Sequence, residues 1–375
     1  MDANISSRIN LMRILLISGI VFVHIPFGTS ESPYLGSYGT LDWLRVFLGD
    51  SLFRVGVPCL SAISGYLLFR GGLEKFDYFK TLKSKAQTVL LPFLLWNFGF
   101  LALVLLVQRF GIGFGYFPDI AGATPREFAS IGFAVEDWPI NLPLYFLRDL
   151  LVCIVLSPIL AFLVRRYPKA TLLCLFAYAV LPVPGVIVLK KSILFSFCFG
   201  IYLSLNRVDL KSLDPYAGYL ILAVFAAAIA LTACLYTTGP AVPEWVEMLR
   251  NIVAVSGILG SWALSEKLTN TRFGMRLAKG GGLSFWIFCA HFPVLILFWM
   301  IWNRAGLSHY PIFYFAAPIL SFVILVASHG FTKRAMPRLY AVLTGTRGSK
   351  SSAARQHLAP ATANSSQTEY SPQQR

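Results

Sequence analysis

Apolar residues run along this chain in long, nearly unbroken blocks, without the strict alternation of a strand or the narrow stripe of a surface helix. Ten blocks are long enough, or nearly so, to cross the hydrocarbon core of a bilayer: 10–27, 46–69, 86–108, 143–164, 170–188, 190–205, 215–236, 248–265, 283–303 and 311–330. The pattern predicts an all-α, polytopic integral membrane protein of about ten transmembrane helices. Its membrane domain is expected over 1–344. A Ser/Ala/Thr/Gln/Pro-rich tail over 345–375 has no apolar pattern and no expected fold of its own. Pro182 and Pro184 interrupt the fifth block, and Lys190-Lys191 separates it from the sixth, so these two read as a short or broken helix pair.

Composition agrees with this picture. Of 375 residues, 56% are hydrophobic and only 13% charged, about half the charged fraction of a soluble domain. The six cysteines sit one per apolar stretch without CxxC spacing, which excludes a secreted disulfide scaffold and reads as small buried side chains. The net charge of +15 is a matter of topology, not of nucleic-acid binding. Arg70, Lys75, Arg165, Arg166, Lys267, Arg272 and their neighbours crowd the loops on one side, whereas the other side has few cations, such as Arg109 and Arg126. The positive-inside rule therefore puts both termini in the cytoplasm. The first block starts near Arg13, and no small-residue cleavage site follows it, so it is expected to stay in the membrane. The longest outer connection, about 110–141, is a candidate substrate surface.

Ionisable residues at membrane depth mark sites by default. His24 lies in the first span and Arg13 at its start. Eleven residues at about 100° each bring both to one helix face, with a rise on the order of 16 Å between them. Arg13 is either a snorkelling flank or a site cation. His24 is either a structural histidine or a general base that titrates near neutral pH. Arg54 either pairs with Asp50 at i, i+4 or lines a polar cavity. Arg148 and Asp149 are adjacent on a helix, so each is expected to need its own partner or a water-filled cavity. His291 is a second intramembrane histidine. The Ser64-Gly65 step favours close helix packing. The chain has no P-loop, GxGxxG, HExxH or G-x-S-x-G pattern and no close metal-ligand cluster. These absences argue against an ATP-driven pump, a dehydrogenase, a zinc protease and a nucleophile-elbow hydrolase, and no metal is expected.

Arg13-x10-His24, then Val57-Pro58 and Ser64-Gly65-Tyr66, with Tyr145-Phe146-Leu147 and Ile287-Phe288-Cys289-Ala290-His291 later on, resemble the membrane-bound acyltransferase-3 family. The resemblance covers about 8–330. It is similar in particular to the branch that succinylates the rhizobial exopolysaccharide succinoglycan, on likeness that includes 4–10 and 51–55. The resemblance implies an inner-membrane O-acyltransferase with acyl-CoA (succinyl- or acetyl-CoA) as co-substrate and no bound cofactor. Its implied partners are a lipid-linked oligosaccharide or exopolysaccharide acceptor, the bilayer and a polysaccharide assembly complex. By position His24 is then the catalytic histidine, acting either as a base or through an acyl-histidine, and Arg13 is a donor-side or structural cation. Lys80, Lys83 and Lys85 stand where many members carry arginines, and they bind phosphate without bidentate geometry. Together with Arg13 they are the expected donor-binding set. Arg54, Arg148, Asp149 and His291 are the expected substrate-binding set, with Arg54 or Arg148 holding a succinyl carboxylate. An acetyltransferase and a lipid-linked glycan transporter are the alternatives. No fused hydrolase-like domain accompanies the membrane domain.

Overall fold

A computed structural model describes residues 2–346, so nearly all of the expected 345–375 tail lies outside it. The described chain is helical throughout, apart from one isolated bridge between Phe114 and Phe117. Seven helices are long and apolar enough to cross a membrane: α1 Ala3–Val23, α2 Thr40–Phe69, α3 Tyr78–Arg109, α9 Leu210–Thr238, α10 Glu244–Thr269, α12 Gly281–Arg304 and α13 Tyr310–Ala335. Between them, α4 (Pro125–Phe133) lies in the long outer connection. An eighth crossing is the pair α5 (Leu142–Val155) and α6 (Ser157–Arg166), bent by 63°. Pro158, in the first turn of α6, accounts for the bend, because proline removes a backbone donor and crowds the preceding turn.

The two blocks that read as irregular form the short helices α7 (Pro168–Val180) and α8 (Lys191–Leu205). The count of about ten thus becomes seven or eight full spans and two shorter apolar helices. The short helices α11 (Arg272–Ala278) and α14 (Pro337–Thr344) complete the chain. We call the side carrying the N-terminus and the cation-rich loops inner, and the opposite side outer.

The closest helix crossing, α2 on α8, is made by glycine. A Cβ on Gly65 would strike the backbone carbonyl of Phe197, and one on Gly200 would strike the carbonyl of Ala62 and the amide of Tyr66. The Ser64 hydroxyl turns back onto the Leu60 carbonyl at 2.8 Å, so it does not stand unpaired beside the contact. In lipid there is little hydrophobic force between helices, so such close backbone approach is a main source of association.

α2 is not a uniform helix. A π-helical turn at Phe47–Ser51 and a 3-10 turn at Leu52–Val55 interrupt it, so the residues on either side change face. Arg8, near the inner end of α1, is buried. Its guanidinium donates to Ser265 Oγ (3.0 Å), Asp214 (2.9 Å) and the Trp262 carbonyl (2.9 Å), and stacks 3.7 Å over the Trp262 ring. This network ties α1 to α10 at the inner side.

Gly65→Val or Gly200→Val should separate α2 from α8 at a cost of about 3 kcal/mol or more. Gly99→Ala, which faces open space, is the control. Thermal midpoints and gel filtration in detergent check this; a Gly65→Val protein as stable as Gly99→Ala would contradict the crossing.

Candidate active site

α1 and α12 run side by side in the same direction. Asn10 lies against Gly281 near the inner end of α12, and His24, at the outer end of α1, meets His291 near the middle of α12. His24 caps the C-terminus of α1. Its Nδ1 lies 2.9 Å from the Ile20 carbonyl and 3.4 Å from Nε2 of His291. His291 is fully buried, with its Nδ1 2.9 Å from the carbonyls of both Ile287 and Phe288.

Carbonyl oxygens only accept, so in each neutral ring the Nδ1 atom carries the proton. His291 Nε2 is then an acceptor facing the Nδ1–H of His24. The second nitrogen of His24, Nε2, keeps its lone pair. Phe292 packs edge-on against the His24 ring at 6.1 Å, which helps fix its plane. Sequence spacing missed this partnership, because 267 positions separate the two rings.

His24 lines a cavity of about 360 Å³ together with Phe53, Arg54, Trp138, Tyr145, Lys190, Glu247, Arg250 and Asn251. Its walls come from the outer ends of α1, α5 and α10, the interrupted part of α2, and the loops before α5 and α8. Both readings of Arg54 hold at once: it lines the cavity and pairs with Asp50 at 2.8 Å, donating also to the Gly49 carbonyl at 3.0 Å. The π-helical turn is what exposes Gly49's carbonyl to a residue five positions on. Tyr34 donates to the same Asp50 at 3.4 Å, and burial followed by the Asp50 charge pushes its phenol up to about 12. Arg250 pairs with Glu247 at 2.7 Å.

Among the described residues Lys190 has no ion pair or side-chain hydrogen bond, and its ammonium lies 5.8 Å from the Trp138 ring centre. Burial, then the Arg54 charge, push its ammonium below the ordinary lysine value. A smaller cavity of about 160 Å³ continues from the first, sharing Lys190, Ser192, Glu247 and Asn251 and adding Glu244 and Lys191.

Arg148 and Asp149 do not line either cavity. Each has partners of its own, as adjacent helix positions require, and they also pair with each other at 2.9 Å, because the arginine stem is long enough to curl back. Arg148 also donates to the Ala134 and Ile187 carbonyls, and Asp149 accepts from the amides of Leu189 (3.0 Å) and Lys190 (2.8 Å). The pair fastens the 181–190 loop that carries Lys190 into the cavity. Asn97 and Asn141, both fully buried, do the same for the connection before α5: Asn97 Oδ1 accepts from the Asn141 amide (3.0 Å), and Asn141 Nδ2 donates to the Cys289 carbonyl (2.9 Å).

On the inner side, Arg13 lines a second cavity of about 650 Å³ with Ser7, Asn10, Thr269, Lys279, Gly281 and Gly282. The N-terminus of the 24-residue α12 opens beside it. Lys80, Lys83 and Lys85 sit on the first part of α3, on the same side of the protein but not among the residues lining this cavity. Among the described residues, no group of three or more His, Cys, Asp or Glu side chains is placed to hold a metal ion.

Residues 6–328 match the family described as Acyltransferase domain (Acyl_transf_3). The chain belongs to the acyltransferase-3 family. It is a membrane-bound O-acyltransferase, and the transporter reading falls away. The chain is also 60% identical, over 376 residues and the full length of both proteins, to the "Succinoglycan biosynthesis protein ExoH" of Rhizobium meliloti (strain 1021). No solved structure matches it. Arg13, on α1, and His24, at its C-terminal cap, sit one at each of the inner and outer cavities.

Asp149→Ala should leave Arg148 without its counter-ion and two amides without an acceptor. The expected loss is about 3 kcal/mol of stability, with acyl transfer falling as the 181–190 loop loosens. The checks are a thermal midpoint and proteolysis at 181–190; an unchanged cleavage rate would contradict the fastening role.

Proposed function

We propose that this acyltransferase moves a succinyl group from an acyl-CoA on the inner side to a sugar hydroxyl of a succinoglycan-type exopolysaccharide unit on the outer side of the inner membrane. The observation that carries the reading is the His24 geometry: one ring nitrogen is committed to Ile20 and His291, and the other is left basic in a ring that lines a polar, cation-bearing cavity. The ExoH relative supports the polymer.

In the proposed reaction, His24 Nε2 takes the proton of the acceptor hydroxyl as its oxygen attacks the thioester carbonyl carbon. The carbonyl π electrons move to oxygen, and Tyr145 and Arg54 are the donors at hand for that oxyanion. Collapse breaks the C–S bond, and the His24 imidazolium returns its proton to the departing thiolate. The products are an O-acyl ester and free CoA. While His24 is charged, its Nδ1–H points toward His291 Nε2. A neutral acceptor in that place stabilises the imidazolium without itself taking a proton, much as an aspartate does in a hydrolase triad.

Arg13, Lys279 and the N-terminus of α12 are suited to the phosphates of the donor, since helix N-termini and cations together favour anions. Lys80, Lys83 and Lys85 supply a more diffuse attraction for the same charges as they approach. The acyl-bearing arm then spans the roughly 16 Å of α1 between Arg13 and His24. Trp138 and Asn251 offer a stacking face and hydrogen bonds to an acceptor sugar.

The test is NMR and mass spectrometry of exopolysaccharide from a deletion strain complemented with wild type or His24→Ala at matched protein levels. Normal polymer lacking only succinyl esters in the deletion strain is expected, restored by wild type. His24→Ala should transfer about 10²- to 10⁴-fold more slowly. Full succinylation by His24→Ala would remove the base from the mechanism, and loss of acetyl in place of succinyl would overturn the acyl assignment. Arg13→Ala should raise the KM for the donor about tenfold with less change in kcat. An unchanged KM would take Arg13 out of the donor site.

A further inference from the structure

The outer cavity holds more positive charge than its own acids answer. Arg54 is committed to Asp50 and to the Gly49 carbonyl. Arg250 spends one nitrogen on Glu247, while its buried Nε has no acceptor. Among the described residues the Lys190 ammonium has neither an ion pair nor a hydrogen bond, although its backbone amide is fixed by Asp149. Two partly buried donors without a protein acceptor on the wall of one half-open cavity are poised for an acceptor that a ligand supplies.

We infer that Lys190, with Arg250 beside it, receives the terminal carboxylate of a dicarboxylic acyl group and so selects succinyl over neutral acyl chains. This rests on the reading that the acyl group is presented to His24 in the outer cavity. A succinyl chain held with its thioester carbonyl at His24 extends two methylenes farther and ends in a carboxylate, and Lys190 and Arg250 lie in the same cavity as His24. Arg54 is less suited, since two of its nitrogens are held by Gly49 and Asp50 and the third is the one at hand for the oxyanion, and Arg148 lies outside the cavity. A neutral chain of equal length, such as butyryl, would leave both donors unpaired, and sites built to hydrogen-bond a polar group reject analogues lacking it. The backbone of Lys190 is fixed by Asp149, which brings the start of its side chain to the cavity before any ligand binds.

The same donors would equally suit an anionic group on the acceptor, so the experiment varies the donor while holding the acceptor constant. Membranes carrying wild type, Lys190→Met, Lys190→Gln or Lys190→Arg are given a lipid-linked oligosaccharide acceptor from a deletion strain, with succinyl-CoA or butyryl-CoA. The ratio of kcat/KM for the two donors is read. Lys190→Met and Lys190→Gln should lower the succinyl-to-butyryl ratio about tenfold to a hundredfold, mostly by slowing succinyl, and Lys190→Arg should keep most of it. The glutamine variant keeps the test decisive should the methionine variant fail to accumulate.

A ratio unchanged in both variants, with wild type preferring succinyl, overturns the inference alone. An equal loss for both donors overturns it too, and assigns the cations to the acceptor. Wild type that transfers butyryl as readily as succinyl overturns the succinyl reading itself.

Discussion

The site depends on one contact, an imidazole held against an imidazole between two parallel helices. A histidine in an apolar bundle must have both ring nitrogens accounted for, or the surroundings bear an unsatisfied polar group. Here four positions are filled in order: His291 Nδ1 by the carbonyls of its own helix, His291 Nε2 and the Ile20 carbonyl by the His24 Nδ1–H, and His24 Nε2 by whatever enters the cavity. The tautomer of the second ring is therefore set by the first, and the first by ordinary helix carbonyls. Nothing titratable other than histidine is needed to aim the basic nitrogen outward.

This arrangement requires α1 and α12 to stay parallel and in register, and the rest of the bundle serves that requirement. Gly281 lets Asn10 come close at the inner end. Arg8 anchors α1 to α10. Just beyond His24, the Pro26 carbonyl accepts from the Tyr310 hydroxyl at 3.1 Å, and Arg45, bound to Asp42 at 2.8 Å, stacks over the same Tyr310 ring at 4.3 Å. The outer end of α1 is thus held by His291 and by Tyr310 before any ligand binds, as preorganised catalysis demands.

Much of this was legible in the sequence wherever the relevant residues share one element. Arg13 and His24 are on one helix, so their common face follows from helical periodicity. The apolar blocks give the spans, with α7 and α8 marked in advance by Pro182, Pro184 and the double lysine. What could not be read depends on tertiary register. The partnership of His24 with His291 has no periodic signature. Lys190 and Arg250 look like ordinary outer-loop cations until the 181–190 loop is seen folded onto α5 by Asp149. The exposure of Arg54 to both Asp50 and a cavity depends on a π-helical turn that nothing in Phe47–Ser51 announces. The pairing of Arg148 with its own neighbour escaped a rule that considers helix faces but not the reach of a long side chain.

The central claim is that the two histidines act as one unit, and a double-mutant cycle tests it most directly. Transfer rates would be compared for wild type, His24→Ala, His291→Ala and the double variant, in membranes with matched protein and a fixed acceptor. If His291 acts only through His24, its loss slows transfer about 10- to 100-fold in the wild-type background, and the double variant is no slower than His24→Ala alone. Losses that multiply in the double variant would contradict the account and give His291 a role of its own.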